Sequence, residues 1–289
     1  MKLCRFLPSE SASSSPARVG LLTPDGASVL DLTAAGWTDL SALLDRDDLV
    51  ALLAGFQGTA SARLLSDVRL LPPVDRQEVW AAGVTYLRSK SARMEESDFS
   101  ATAYDRVYEA PRPEIFFKSL AEKVSGPGGP AGIRADAKWN VPEPELALVL
   151  NSRGQVVGYT IANDMSSRDI EGENLLYLPQ AKMYRHSCAL GPCITVGVTE
   201  TEVRTWTISI RIERQGAVMF QGETPVSKIK RGFEELAGWL NRSQEFPHGA
   251  VLLTGTGVVP PNEFTLAVGD VVRIQISGVG ELVNTVVEV

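Results

Sequence analysis

Apolar residues along this chain recur mainly with a period of two or in short unbroken runs, the pattern of strands, and take the helical period in only two places. Strands are predicted over 78–84, 114–118, 145–150, 155–162, 206–211, 250–253 and 270–276. Helical spacing covers 39–53 and 230–241. Ser/Pro-rich 11–16 and Gly/Pro-rich 125–132 read as loops. The polar stretch 89–108 has helical composition with a weak amphipathic signal and is read as a lid. Pro72-Pro73 cannot continue a helix and favours an extended connection, so a small N-terminal domain is expected over 1–73 and a larger one over 74–289. The excess of strands over helices predicts a β-rich α+β fold.

Composition narrows the partners. Lys plus Arg number 28 against 35 for Asp plus Glu, giving a net charge of -7, and no basic cluster with interleaved aromatics tracks a phosphate backbone. No nucleic-acid partner is expected. Cys4, Cys188 and Cys193 form no paired framework, which points to a reducing compartment, the cytoplasm. The longest apolar runs, such as 146–150, fall far below membrane-spanning length and nothing after Met1 reads as a signal peptide, so no membrane partner is expected either.

The chemistry concentrates in acidic residues of the central strands. Glu143 and Glu145, two apart, project on the same side of an extended segment. If Arg153-Gly154 is a two-residue hairpin turn, the register pairs Ser152 with Gln155 and, counting outward, Glu143 with Asp164. A three-residue turn would rotate Asp164 to the other face. Facing Cβ atoms lie roughly 4.5–5.5 Å apart, so three carboxylates converge and repel unless a cation neutralises them. Hard oxygen ligands favour Mg²⁺, then Mn²⁺ or Ca²⁺. The competing reading, solvated edge charges, sits poorly with the apolar run 146–150, which is buried on both faces.

At these residues the chain resembles the fumarylacetoacetate hydrolase superfamily. The likeness rests on Glu143-Pro-Glu145, Asn163-Asp-Met-Ser-Ser-Arg-Asp169, Lys182, Leu190-Gly-Pro192, Gly269-Asp-Val-Val and the segment from Gly278 to Thr285, and covers roughly residue 79 to the end. It implies a mixed β-roll catalytic domain, usually homodimeric, with a small variable N-terminal α/β domain. Members that cleave carbon-carbon bonds commonly carry a catalytic His after the first catalytic-domain strand. This chain reads Thr85-Tyr-Leu-Arg-Ser89 there. Together with Arg112-Pro-Glu-Ile-Phe-Phe-Lys118 and Tyr177-Leu-Pro-Gln-Ala-Lys182, this is most similar to the branch that dehydrates 2-keto-3-deoxy sugar acids such as 2-keto-3-deoxy-D-arabinonate.

The resemblance implies a small 2-oxo acid substrate whose C3 proton is acidified by the neighbouring ketone. Lys182 and Glu114 are the candidate base and acid, and Lys182 as a plain cation could instead hold the substrate carboxylate. Glu114 and Lys118 share one strand face, either as a substrate contact or as an ordinary ion pair. Tyr86 and Thr256 match positions where relatives place substrate-contacting hydroxyls. His248 reads as a turn residue, His186 as one that could reach the site, and Cys188 and Cys193 as buried small hydrophobes. Two alternatives remain: hydrolysis of a carbon-carbon bond in an acylpyruvate, and a binding protein that retains a 2-oxo acid without turnover.

Overall fold

A computed structural model describes residues 1–12, 15–56, 61–86 and 106–289. The lid expected over 89–108 begins outside the described residues, as do Leu87, Arg88 and Ser89. Among the described residues an 11-stranded sheet forms the body of the molecule. Its order runs Ala62–Leu64, Ser28–Asp31, Arg18–Leu22, Lys2–Pro8, Cys188–Thr195, Val156–Asp164, Pro144–Leu150, Ala250–Thr256, Glu78–Gly83, Glu114–Ser119, with Val68–Leu71 branching off Lys2–Pro8. Most neighbours are antiparallel, but Glu78–Gly83 runs parallel to Ala250–Thr256. A second sheet, ordered Ala217–Pro225, Thr207–Arg214, Val271–Ile276, Gly280–Glu288, Pro130–Ile133, packs against it. The architecture is mixed and β-rich, as the alternation of the sequence predicts.

The central strand explains why the sheet sits inside the molecule. Pro144–Leu150 is buried at every position. Leu146, Leu148 and Leu150 pack toward Ile208, Ile210 and Ile274 of the second sheet and toward Phe233, Leu236 and Leu240 of the helix Phe233–Asn241. Ala147 and Val149 face the other way, against Leu40, Leu43, Leu44, Leu49 and Leu53 of the N-terminal segment. A strand covered on both faces reads as a continuous apolar run, which is what 146–150 is. The expected boundary at Pro72-Pro73 falls between Val68–Leu71 and Glu78–Gly83, within a sheet that continues through both segments by pairing Lys2 with Thr195 and Leu3 with Ile194.

Several elements differ from the sequence pattern for identifiable reasons. The helix expected over 39–53 is two short helices, Leu40–Leu44 and Leu49–Gly55. Asp45, Asp47 and Asp48 fall where the first would end, and carboxylates are unfavourable beside a helix C-terminus. Asp39 instead caps that helix, accepting from the Ala42 N–H at 3.0 Å. The helix expected over 230–241 begins at Phe233, because Arg231 turns aside to donate to the carbonyl of Ala110 at 2.6 Å. Within the loop expected over 125–132, Pro130–Ile133 forms a strand alongside Gly280–Glu288.

The hairpin carrying the carboxylates departs from expectation twice, and the departures cancel. The turn is not two residues long: Asn151 N–H donates to the Gln155 carbonyl at 3.0 Å, closing a three-residue loop with Gly154 at φ 74°. A residue in that left-handed region is the usual end of such a loop, and glycine takes it without strain. One step further, Val149 pairs with Gly158 while Leu150 pairs with Val156, so Val157 bulges out. The extra residue restores the register. Pro144 then faces Asn163, and the Asp164 N–H donates to the Glu143 carbonyl at 2.9 Å, so Asp164 faces Glu143 after all.

Candidate metal centre

Glu143 precedes the central strand, Glu145 lies one residue inside it, and Asp164 ends its hairpin partner. All three are at most 2% exposed. Each offers a carboxylate oxygen within 4.8 Å of the others. Asn163, fully buried beside them, accepts the Glu143 N–H on its side-chain oxygen at 3.2 Å and fixes the backbone between the two glutamates and the facing strand.

Cations surround two of the three. The Lys182 ammonium, at the end of the helix Leu178–Lys182, donates to Glu143 Oε2 at 2.7 Å and to Asp164 Oδ2 at 3.2 Å. Lys118 Nζ stands 2.5 Å from Asp164 Oδ1 and donates to the carbonyls of Met165 at 3.1 Å and of Lys182. Arg168 donates to Glu143 Oε1 at 3.0 Å and lies over the Trp139 ring, 5.9 Å from its centroid. Glu145 differs. Among the described residues no ion pair reaches it, and Oε2 accepts the Gly255 N–H at 2.6 Å. Burial first, then the charges of Asp164 and Glu143, push its pKa well above the ordinary carboxylate range, against a smaller pull from Lys182 and the Gly255 N–H.

A small cavity of about 10 Å³, bounded by all three carboxylates with Gly83, Phe116, Gly255 and Thr256, has room for roughly one water or one ion. Hard oxygen donors, convergence, and one carboxylate with no ion-pair partner among the described residues fit a divalent cation at this position. Lys182 already places its amine between two of the carboxylates.

The other residues singled out by the sequence distribute around this point. Thr256 faces Glu145 across the sheet, lines the cavity and donates to the Val258 carbonyl at 3.1 Å. Tyr86 is 1% exposed; burial and then the Glu145 charge raise its pKa, so its phenol keeps its proton. Glu114 pairs with Gly83, and its carboxylate rests on the Gly83 Cα, where a Cβ would come within 1.9 Å of Oε2. Glu114 and Lys118 share a strand face, but the charged partner of Lys118 is Asp164. His248 sits in the turn closed by the Gly249 N–H on the Phe246 carbonyl. The three cysteines are buried, with thiol pKa values raised chiefly by desolvation. His186 lines a different cavity, on the far side of Lys118.

Three contributors lacked an assigned role in the sequence reading: Arg168, the Gly255 N–H and Gly83. Arg168 lies inside the Asn163 to Asp169 motif, so its signal was present. Gly83 and Gly255 act through backbone and through the absence of a side chain, which carries no periodic signature.

A fumarylacetoacetate (FAA) hydrolase C-terminal family model matches residues 78–287, and the chain belongs to that family. Within it, the chain is 48% identical over 217 residues to a probable 2-keto-3-deoxyxylonate dehydratase of Haloferax volcanii, covering 75% of this chain and 74% of that one. It is 40% identical over 245 residues to the 2-dehydro-3-deoxy-D-arabinonate dehydratase of Saccharolobus solfataricus, covering 83% and 79%. A solved 2-keto-3-deoxy-D-arabinonate dehydratase complexed with magnesium and 2,5-dioxopentanoate superposes with TM-score 0.80 at 32% identity, covering 100% of this chain and 99% of that one.

Proposed function

We propose that this chain is a magnesium-dependent hydro-lyase that removes one water from a 2-keto-3-deoxy pentonate such as 2-keto-3-deoxy-D-arabinonate. The observation that carries the reading is Glu145, a buried carboxylate with no ion-pair partner among the described residues, converging with Glu143 and Asp164. Its support is the likeness to dehydratases over three quarters or more of the chain.

Glu143, Glu145 and Asp164 would hold Mg²⁺. When bound, the ion supplies Lewis acidity and fixed positive charge for a 1-carboxylate and 2-oxo group. Lys118 holds Asp164 from behind and ties it to the backbone of Lys182. Arg168 fixes Glu143. Lys182, once its two carboxylate partners are engaged elsewhere, loses the charges that favour its ammonium form and in the neutral form takes the C3 proton. Glu114, at the cavity edge over Gly83, donates a proton to the departing C4 hydroxyl. With the C3 proton on Lys182 and the C4 hydroxyl leaving as water, a 3,4-enone remains. A proton moving from C5 to C3 then gives the C4–C5 enol, and transfer of its hydroxyl proton to C4 gives the 5-aldehyde, so the products balance as 2,5-dioxopentanoate and water. Tyr86 and Thr256 supply hydroxyls toward the substrate. We place the enzyme in the cytoplasm as a homodimer, with a small N-terminal domain over 1–73, and light scattering reads the assembly.

The test is incubation with 2-keto-3-deoxy-D-arabinonate and Mg²⁺, followed by mass spectrometry. Loss of one water, abolished by EDTA, is expected. Intact substrate together with pyruvate release from an acylpyruvate would replace this reading with the hydrolase one.

A further inference from the structure

We propose that the cavity on the far side of Lys118 is a binding site for a small organic carboxylate, separate from the metal centre. Its volume is about 650 Å³, within the range of small-molecule sites. Lys123 and Arg185 stand at its rim, exposed and without an ion-pair partner among the described residues, and Glu122 is the lining group of opposite charge. The net positive field favours an anion.

The polar wall is built with strain. His186 holds a left-handed backbone, φ 60°, uncommon for a residue with a side chain. Gly132 keeps it there by donating its N–H to the His186 carbonyl at 2.8 Å, approaching so closely that a Cβ would lie 2.3 Å from the Arg185 carbonyl oxygen. The His186 ring reaches Ser125 Oγ at 3.4 Å. Burial and the Arg185 charge lower the imidazole pKa, leaving it a neutral hydrogen-bonding group. Phe117, Val124 and Tyr184 supply an apolar wall. A carboxylate on Lys123 and Arg185, with a short carbon chain against Phe117 and Val124, matches this division.

The site also touches the metal centre. Lys118 belongs to the cavity wall, its side chain is buried and its ammonium sits on Asp164, and residues 183–186 continue directly from Lys182. An occupant therefore bears on the two cations that position the carboxylates.

The test uses glutarate as probe, with neutral glutaramide and inorganic phosphate as comparison arms, titrated calorimetrically into EDTA-treated protein. Metal-free protein lacks the ion that would hold a carboxylate at the triad, and binding in the separate cavity does not depend on the dehydratase reading. Glutarate is expected to bind and glutaramide not, and the double variant Lys123→Glu, Arg185→Glu should weaken glutarate at least tenfold while retaining wild-type turnover. Saturating glutarate should shift the Mg²⁺ dissociation constant at least threefold. No glutarate binding, equal binding in the double variant, or binding of phosphate alone would overturn the site. Glutarate binding with unchanged Mg²⁺ affinity would overturn the coupling through Lys118.

Discussion

Gly83→Ala separates a catalytic role for Glu114 from a structural one. Gly83 lies in a strand and its φ is outside the left-handed region, so alanine adds no backbone strain. The added Cβ would stand 1.9 Å from Glu114 Oε2 against the 3.4 Å of ordinary contact, so the carboxylate must retreat by about 1.5 Å. Because the clashing atom is the far end of a flexible side chain, the shift costs about 0.5–1.5 kcal/mol of rotamer strain. The entropy lost from the unfolded chain on replacing glycine returns roughly 0.4–1 kcal/mol, so net stability changes little. Misplacing a reacting group by about 1 Å costs on the order of a hundredfold in rate, roughly 2.7 kcal/mol of transition-state stabilisation. Catalysis should therefore fall far more than stability. The assay is kcat beside a melting curve and a Mg²⁺ titration. Expected are a kcat down about 100-fold, a Tm within about 4 °C of wild type, and unchanged Mg²⁺ affinity. Wild-type kcat in folded Gly83→Ala would refute the role of Glu114, and collapse of Tm would refute the packing argument.

Glu145→Gln keeps an acceptor for the Gly255 N–H but removes a buried charge, so the metal-free variant should melt at least ~2 °C above wild type at pH 7 while Mg²⁺ affinity drops, by calorimetry, at least ~100-fold. A lower Tm would show that the charge is already compensated. The pH dependence follows from the raised Glu145 pKa: the stability linked to its protonated form is fully present below the ordinary glutamate value of 4.5 and is lost as pH rises through the raised folded value. Because the ion needs the deprotonated form, the Tm gain on adding Mg²⁺ should grow with pH across that window; a gain independent of pH would remove Glu145 from the ligand set. Arg168→Met leaves Glu143 Oε1 buried without its guanidinium, and urea unfolding should show a loss of about 3–5 kcal/mol; under 1 kcal/mol would mean that Lys182 alone suffices.

The convergence of the three carboxylates was legible because its signal is local. Glu143 and Glu145 share a face by the period of a strand, and the apolar run beside them reports burial. The register to Asp164 was right for an incomplete reason. The loop has three residues, and the bulge at Val157 undoes the rotation this brings. Such a bulge depends on how the flanking strands Cys188–Thr195 and Ala250–Thr256 pack, and no pattern in 151–157 announces it. Lys118 read as a substrate contact or as an ion-pair partner for Glu114 because both lie on one strand face, whereas contact with Asp164 arises from the fold bringing together residues 46 positions apart. His186, four positions from Lys182, turns away because its left-handed backbone sends the ring toward Ser125. Sequence proximity could not reveal that reversal.

The most direct test of the central claim is a crystal structure with Mn²⁺ in place of Mg²⁺, measured for the metal's anomalous scattering. One peak is expected, bonded to Glu143, Glu145 and Asp164 at roughly 2.0–2.3 Å, with the Lys182 ammonium moved off the two carboxylates it now bridges. Absence of a peak at these carboxylates, with Lys182 still held between Glu143 and Asp164, would contradict it.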